Sequence, residues 1–302
     1  MKYIDLQVNG AYGVDFNSDT LTTEQFEFAC FKLKESGVVG FLPTIITDSL
    51  ESMCRRVGNI ASIVESSPQL FGLVLGIHVE GPFLSDRAGF YGTHPPQHIL
   101  AANQRDAMRL VEAGRGRVRL VTLAPEQDAA CETTRRLSDE GILVFAGHTD
   151  ASFETLKRAV DCGLRGFTHL GNGCIHQVDR QDNIMQRVLA FRDKLMITLI
   201  ADGIHLPVWL LKSWLDIIGS TRSIIISDSM SAAGMPAGEY SIGNQTVLVE
   251  ASRRTRHRDH GYLAGSASTM ADMDRVLTET LAIGSAVREH IMHDNALAIL
   301  TQ

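Results

Sequence analysis

Eight short apolar runs recur along this chain, and stretches with helical spacing separate each from the next. The runs are Tyr3–Val8, Val38–Ile46, Gly72–Val79, Val118–Leu123, Ile142–Ala146, Gly166–His169, Met196–Ala201 and Ser223–Ser227. Between them lie Thr23–Lys34, Leu50–Val64, Gln104–Ala113, Ala129–Glu140, Phe153–Val160, Asp182–Phe191 and Val208–Ile218. In the first of these Phe26, Cys30 and Leu33 share one helical face. Strands that alternate with helices pair in parallel through right-handed crossovers, and eight such units close a (β/α)8 (TIM) barrel. The 302 residues, 44% of them hydrophobic, suit a barrel, for which about 250 residues is usual. After the eighth run, Glu239–Glu250 places Tyr240, Ile242, Val247 and Val249 around Gly243-Asn244 and reads as a β-hairpin. A basic loop follows, then helices over about 268–283 and 285–300. No internal repeat or linker divides the chain, so residues 1–302 are expected to form one barrel domain with a hairpin insertion near 239–250.

Charge and cysteine usage narrow the class. The net charge is −7, and the one dense basic run, Arg253, Arg254, Arg256, His257 and Arg258, carries no interleaved aromatics. Nucleic acid is therefore not an expected partner. Met1-Lys2 leads straight into a strand rather than a secretory signal, and no apolar run reaches the roughly 20 residues of a membrane helix. Cys30, Cys54, Cys131, Cys162 and Cys174 form no CxxC pair. A reduced cytoplasmic protein is the expectation.

The ends of the strands carry the chemistry. In a barrel the βα loops build the site at the C-terminal rim. Those ends read Gln7-Val8-Asn9, His78-Val79-Glu80, Gly147-His148-Thr149, Thr168-His169, Ala201-Asp202-Gly203-Ile204-His205 and Ser227-Asp228. Each alone reads as a hydrogen-bonded structural residue. Together, a carboxylate and two imidazoles on one rim can bind a divalent ion with a position left open, and a further aspartate supplies a proton acceptor. That is the equipment of metal-assisted hydrolysis.

Longer segments carry a resemblance. Ile4–Gly10, His78–Phe83, Gly92-Thr93-His94-Pro95-Pro96, Ala124-Pro125-Glu126, Gly147-His148-Thr149, Thr168-His169-Leu170, Ala201–His205, Ser227-Asp228 and Leu263–Ser266 occur in this order over nearly the whole chain. In them the chain resembles the N-acetylglucosamine-6-phosphate deacetylases of the amidohydrolase superfamily. The resemblance implies Glu80, His148 and His169 as metal ligands, Asp228 as catalytic acid-base and His94 as a group that polarises the acetyl carbonyl. It further implies substrate contacts from Asn172, Gly173, Leu263, Ala264 and Gly265, with His205 near the sugar phosphate. Gln7 and Asn9 stand where many amidohydrolases have the imidazoles of a second metal site. An amide is a poor ligand beside imidazole but can hydrogen-bond a metal-bound water, a role expected of Gln7. One divalent ion is thus expected: zinc, or iron or another ion, since Glu-His-His suits several.

The chain departs from the family pattern in three places. The family's small β-sandwich, built from segments flanking the barrel, is expected to be absent. Asn172-Gly173-Cys174 replaces the usual Asn-Ala-Met. Asp179-Arg180-Gln181-Asp182-Asn183 replaces His-Arg-x-Pro-Gly, although Arg180 keeps the spacing of the phosphate-binding arginine, which in the family often comes from a neighbouring subunit. Arg180 either grips an anionic substrate or pairs with Asp179 or Asp182 on the surface. The family is commonly dimeric, and a homodimer is expected. The reading is metal-dependent hydrolysis of an N-acetylated amino sugar, with its 6-phosphate as the expected form. Another N-acyl substrate, or a barrel that binds metal without turnover, is the alternative.

Overall fold

A computed structural model describes residues 1–259 and 261–301. Eight parallel strands form the barrel wall: β1 (Tyr3–Val8), β2 (Val38–Ile46), β3 (Ile77–Glu80), β4 (Val118–Leu123), β5 (Leu143–Ala146), β6 (Leu164–Phe167), β7 (Met196–Ile200) and β8 (Ser223–Ile226). Each strand pairs with the next in sequence. The wall closes where Val8 bridges Ser229, and Asp5 Oδ1 of β1 accepts the Ser227 N–H at 3.1 Å. Strands covered on both faces read as continuous apolar runs, which is why β2 buries every residue but Val39. Pro43 interrupts its ladder, and the Thr44 hydroxyl takes the Val8 N–H at 3.1 Å beside the resulting register shift.

The crossover helices are α1 (Thr23–Glu35), α2 (Leu50–Ser66), α3 (Gln104–Ala113), α4 (Glu132–Asp139), α5 (Phe153–Asp161), α6 (Ile184–Ala190) and α7 (Val208–Ile218). Local chemistry sets their starts. Thr22 and Gln25 form a capping box on α1, and Ser49, Asn103, Ser152 and Asn183 cap α2, α3, α5 and α6. In α2, Met53, Val57, Ile60, Ala61 and Val64 recur at helical spacing and are buried against the wall. No described helix is long and apolar enough to cross a membrane.

Two expectations change. The third run does not start at Gly72: residues 71–73 turn, Val74 makes an isolated bridge to β2, and the strand begins at Ile77. Gly72 sits at φ +82°, a conformation that breaks a strand. The basic loop contains a strand. The expected hairpin, β9 (Gly238–Ile242) and β10 (Gln245–Val249), is joined by β11 (Thr255–His257). Thr255 and His257 are buried and Arg256 is exposed, so the two-residue period was hidden among arginines. This small sheet packs Ile242, Val247 and Val249 on Ile46, Met230 and Ala264. Its tip reaches the barrel mouth: Asn244 donates to Asp48 at 3.0 Å, and Gln245 donates to the Thr93 carbonyl next to His94. The C-terminal helices are broken by wide turns, α8 (Met270–Arg275) by 276–280, and α9 (Ser285–Glu289) from α10 (Asn295–Leu300) by 290–294.

Candidate active site

The strand ends deliver the buried Glu80, His148 and His169 and the partly buried Asp228 to one cluster at the barrel mouth. Three of these four hold a left-handed backbone, at φ +49° for His148, +33° for His169 and +47° for Asp228. Residues with a Cβ avoid that region, and such strain collects at functional sites. Neighbours hold the strained turns in place. The His169 N–H donates to Thr198 Oγ1 at 2.7 Å, and the Asp228 carbonyl accepts from Ser266 at 2.8 Å. After His148, the Glu126 carboxylate takes the Thr149 hydroxyl and the Asp150 N–H, the latter at 2.9 Å.

Glu80 Oε1 lies 3.1 Å from His169 Nε2 and 3.6 Å from His148 Nε2, and the two Nε2 atoms are 3.1 Å apart. Tetrahedral ligands on bonds of about 2.1 Å are separated by about 3.4 Å, so this triangle fits one divalent ion. His148 Nδ1 is 2.8 Å from the Phe90 carbonyl, which can only accept. The ring therefore carries its proton on Nδ1 and turns the Nε2 lone pair to the cluster, the tautomer a metal ligand needs. Burial pushes the Glu80 carboxyl up, but the imidazoles of His148 and His169 beside it outweigh burial and hold the group well below the usual range. Glu80 thus stays anionic.

Asp228 is bound on one oxygen. Gln7 Nε2 and Asn9 Nδ2 donate to Oδ1 at 3.0 and 2.9 Å, while Oδ2 has no hydrogen-bond partner among the described residues. Gln7 also donates to Glu80 Oε1 at 3.0 Å and accepts from Thr168 at 2.5 Å. Its amide therefore spans the Glu80 and Asp228 carboxylates. Burial raises the Asp228 carboxyl, His169 opposes this and Glu80 adds to it. His94 faces the same cluster, with Nε2 3.8 Å from Glu80 Oε2 and its ring 4.4 Å from that of His148. The Thr47 N–H donates to its Nδ1 at 3.3 Å, and a backbone N–H cannot accept. Neutral His94 consequently carries its proton on Nε2, facing inward. Burial, helped by His148, lowers its pKa to about 3, which keeps it neutral.

The other expected residues are placed as follows. Asn172 folds back on the His169 carbonyl at 3.3 Å, and Gly173 lies against the His148 ring, where a Cβ would come 2.7 Å from Nδ1. Leu263, Ala264 and Gly265 run beside the end of β8, between Asp228 and β11, with Gly265 O bonded to Thr255 at 2.6 Å. His205 is buried against Asp202 at 2.7 Å. Arg180 stands apart, exposed, with no ion pair among the described residues. Its two neighbouring aspartates are engaged elsewhere: Asp182 pairs with Arg187 at 2.6 Å, and Asp179 caps its own turn.

Sequence reasoning gave no role to Thr47, Thr168, Thr198, Asp202 or Glu126, although Thr168, Asp202 and Glu126 lie in segments it singled out; Thr47 and Thr198 gave no signal, because their partners are far off in the chain. Glu126→Ala frees the turn after His148. It is expected to weaken metal affinity by about 10–100-fold, as loss of an outer hydrogen-bond partner does, measured by competition with a chelator.

A barrel whose mouth holds a carboxylate, two facing imidazoles and a further, partly buried aspartate is that of a metal-dependent hydrolase. Comparison with known proteins narrows this. The N-acetylglucosamine-6-phosphate deacetylase of Bacillus subtilis is 34% identical over 278 residues, spanning 91% of this chain and 68% of the relative. The N-acetylgalactosamine-6-phosphate deacetylase of a Shewanella species is 33% identical over 93% of this chain and 69% of its own length. The crystal structure of the N-acetyl-D-glucosamine-6-phosphate deacetylase of Mycobacterium smegmatis superposes with a TM-score of 0.88 at 25% identity, over 99% of this chain and 78% of that one. No protein-family model matches. The chain belongs to the N-acetylglucosamine-6-phosphate deacetylase family, as its motifs implied.

Proposed function

We propose that this protein hydrolyses the acetamide of an N-acetylated hexosamine 6-phosphate to acetate and the amino sugar phosphate. The observation that carries this is the triangle of Glu80, His148 and His169 beside an aspartate with one free oxygen. Those three residues would hold one divalent ion, for which zinc is the proposed metal and iron suits the same donors. Such an ion polarises a carbonyl and lowers the pKa of water. The His94 Nε2–H donates to the acetyl oxygen, where negative charge develops as the carbonyl carbon becomes tetrahedral. Gln7 and Asn9 fix Asp228 by Oδ1, which leaves Oδ2 to take a proton from the attacking water and return it to the departing nitrogen. Asn172, Gly173 and the Leu263–Gly265 segment would line the sugar.

The relatives' names differ in the hexosamine, gluco in one and galacto in another, so the two epimers are the readings to separate. Turnover of both, each with and without the 6-phosphate, tests the proposal. No release of acetate from any of the four by metal-loaded protein would leave the alternative of a non-catalytic barrel.

Arg180 and His205 are the groups proposed for the phosphate. The exposed, unpaired guanidinium can grip two phosphate oxygens, and a homodimer in which it reaches a neighbouring copy's site accounts for its exposure. A charged contact is worth about 2 kcal/mol, so Arg180→Ala should lower the ratio of kcat/KM for phosphorylated over unphosphorylated sugar by more than about tenfold. An unchanged ratio would remove Arg180 from the site.

A further inference from the structure

His205 follows β7, and its side chain is only 5% exposed. One ring nitrogen is clamped and the other is open. Nδ1 lies 2.7 Å from Asp202 Oδ2, whereas Nε2 has no hydrogen-bond partner among the described residues. Asp202 is itself over-determined. Its Oδ1 takes the N–H groups of Ile204 and His205 at 2.8 and 2.9 Å, and its Oδ2 also takes the Ser266 hydroxyl at 3.1 Å. All these partners donate, the pattern of an ionised carboxylate. Burial pushes the Asp202 carboxyl up, yet His205 and the two N–H groups bring it down to about 2. The charged and titratable groups that face His205 are Asp202, Asp228 and His169. Burial disfavours its charged form, but the two aspartates outweigh burial and His169, so the ring is pushed toward imidazolium. Ser266 belongs to the segment next to Asp228, which ties this pair to the wall of the site.

We propose that Asp202, braced by Ser266, is a positioning residue that holds His205 as a cationic hydrogen-bond donor, Nε2–H outward, to an anionic oxygen of the substrate. The identity of that oxygen as a phosphate rests on the function proposed above; the charge on the ring does not. A neutral imidazole with Nδ1–H toward Asp202 would present a lone pair on Nε2 and repel an anion. Asp202 therefore decides whether this position attracts or rejects a phosphate.

Two measurements on the zinc-loaded protein test this. Nitrogen-15 NMR of the histidine rings should show His205 protonated on both nitrogens at neutral pH. In Asp202→Asn its midpoint should fall by at least about one pH unit, since one unit corresponds to about 1.4 kcal/mol of lost interaction. Ser266→Ala should shift it the same way by less, and Asp202→Glu should restore most of the charge. In kinetics, Asp202→Asn should raise KM for the phosphorylated sugar about tenfold with a much smaller change in kcat, the signature of lost ground-state binding. A His205 that stays doubly protonated in Asp202→Asn overturns the proposal, as does a fall in kcat of equal size for both sugars, which marks a structural role. If the wild-type protein does not distinguish phosphorylated from unphosphorylated sugar, the phosphate reading fails, and the ring titration alone decides whether Asp202 holds the charge.

Discussion

Asp228→Asn is expected to lower kcat by about 10²–10⁴-fold while the metal content stays that of the wild type. The substitution preserves shape and removes the proton acceptor. It also inverts one contact, because Gln7 and Asn9 both aim N–H groups at Oδ1. The asparagine can meet them with its carbonyl oxygen, which places its NH2 where Oδ2 stood. The atom proposed to take the proton then becomes a donor. The ligand triangle of Glu80, His148 and His169 is untouched by this change. Elemental analysis beside steady-state kinetics separates the two effects. Retained turnover would mean that another group serves as base, and lost metal would mean that Asp228 belongs to the ligand set.

Glu80→Gln should remove the metal and the activity together. Glu80 supplies the anionic corner of the triangle and sits 3.1 and 3.6 Å from the two imidazoles. An amide in its place loses the charge and turns either a weak oxygen or an NH2 group toward His148, His169 and the Gln7 amide. The loss of affinity should exceed the about 10–100-fold typical of an outer partner such as Glu126. In the wild type the same analysis should find one tightly held ion per chain even in excess zinc. A second site would need donors from the end of β1, where Gln7 is committed at both ends to Glu80, Asp228 and Thr168 and Asn9 offers only a neutral amide oxygen, a poor ligand beside imidazole. Two equally tight ions would contradict this account.

Several features of the barrel were legible in the sequence because they depend on local chemistry. Parallel strands covered on both faces are largely apolar, so Val38–Ile46, and Val118–Leu123 despite its exposed Arg119, announce themselves with the observed bounds. Helices announce themselves by their apolar period, as Val208–Ile218 does with the observed bounds. The third strand was started too early because Leu73, Val74 and Leu75 are as apolar as the strand they precede, yet they meet β2 only in the isolated bridge of Val74 to Phe41. Thr255–His257 was read as loop because two-residue alternation over three residues is too short to stand out from a run of arginines.

The residue types that can bind a metal, and their place at successive strand ends, belong to the sequence alone, as do the segments that mark the family. What no linear reading could decide is which donors meet, and through which atom. That His148 turns Nε2 inward depends on the carbonyl of Phe90, 58 positions away. That Asp228 keeps one free oxygen depends on two amides at the end of β1 and just after it, more than 200 positions away. Arg180 shows the same limit from the other side: the sequence left open whether a neighbouring aspartate would pair with it, and the fold gave Asp182 to Arg187 instead. Hydrogen bonds are directional and short, so the protonation and orientation of a buried group are set by whatever the closed barrel brings within about 3 Å of it. Sequence fixes the inventory of groups; barrel closure assigns each its partner.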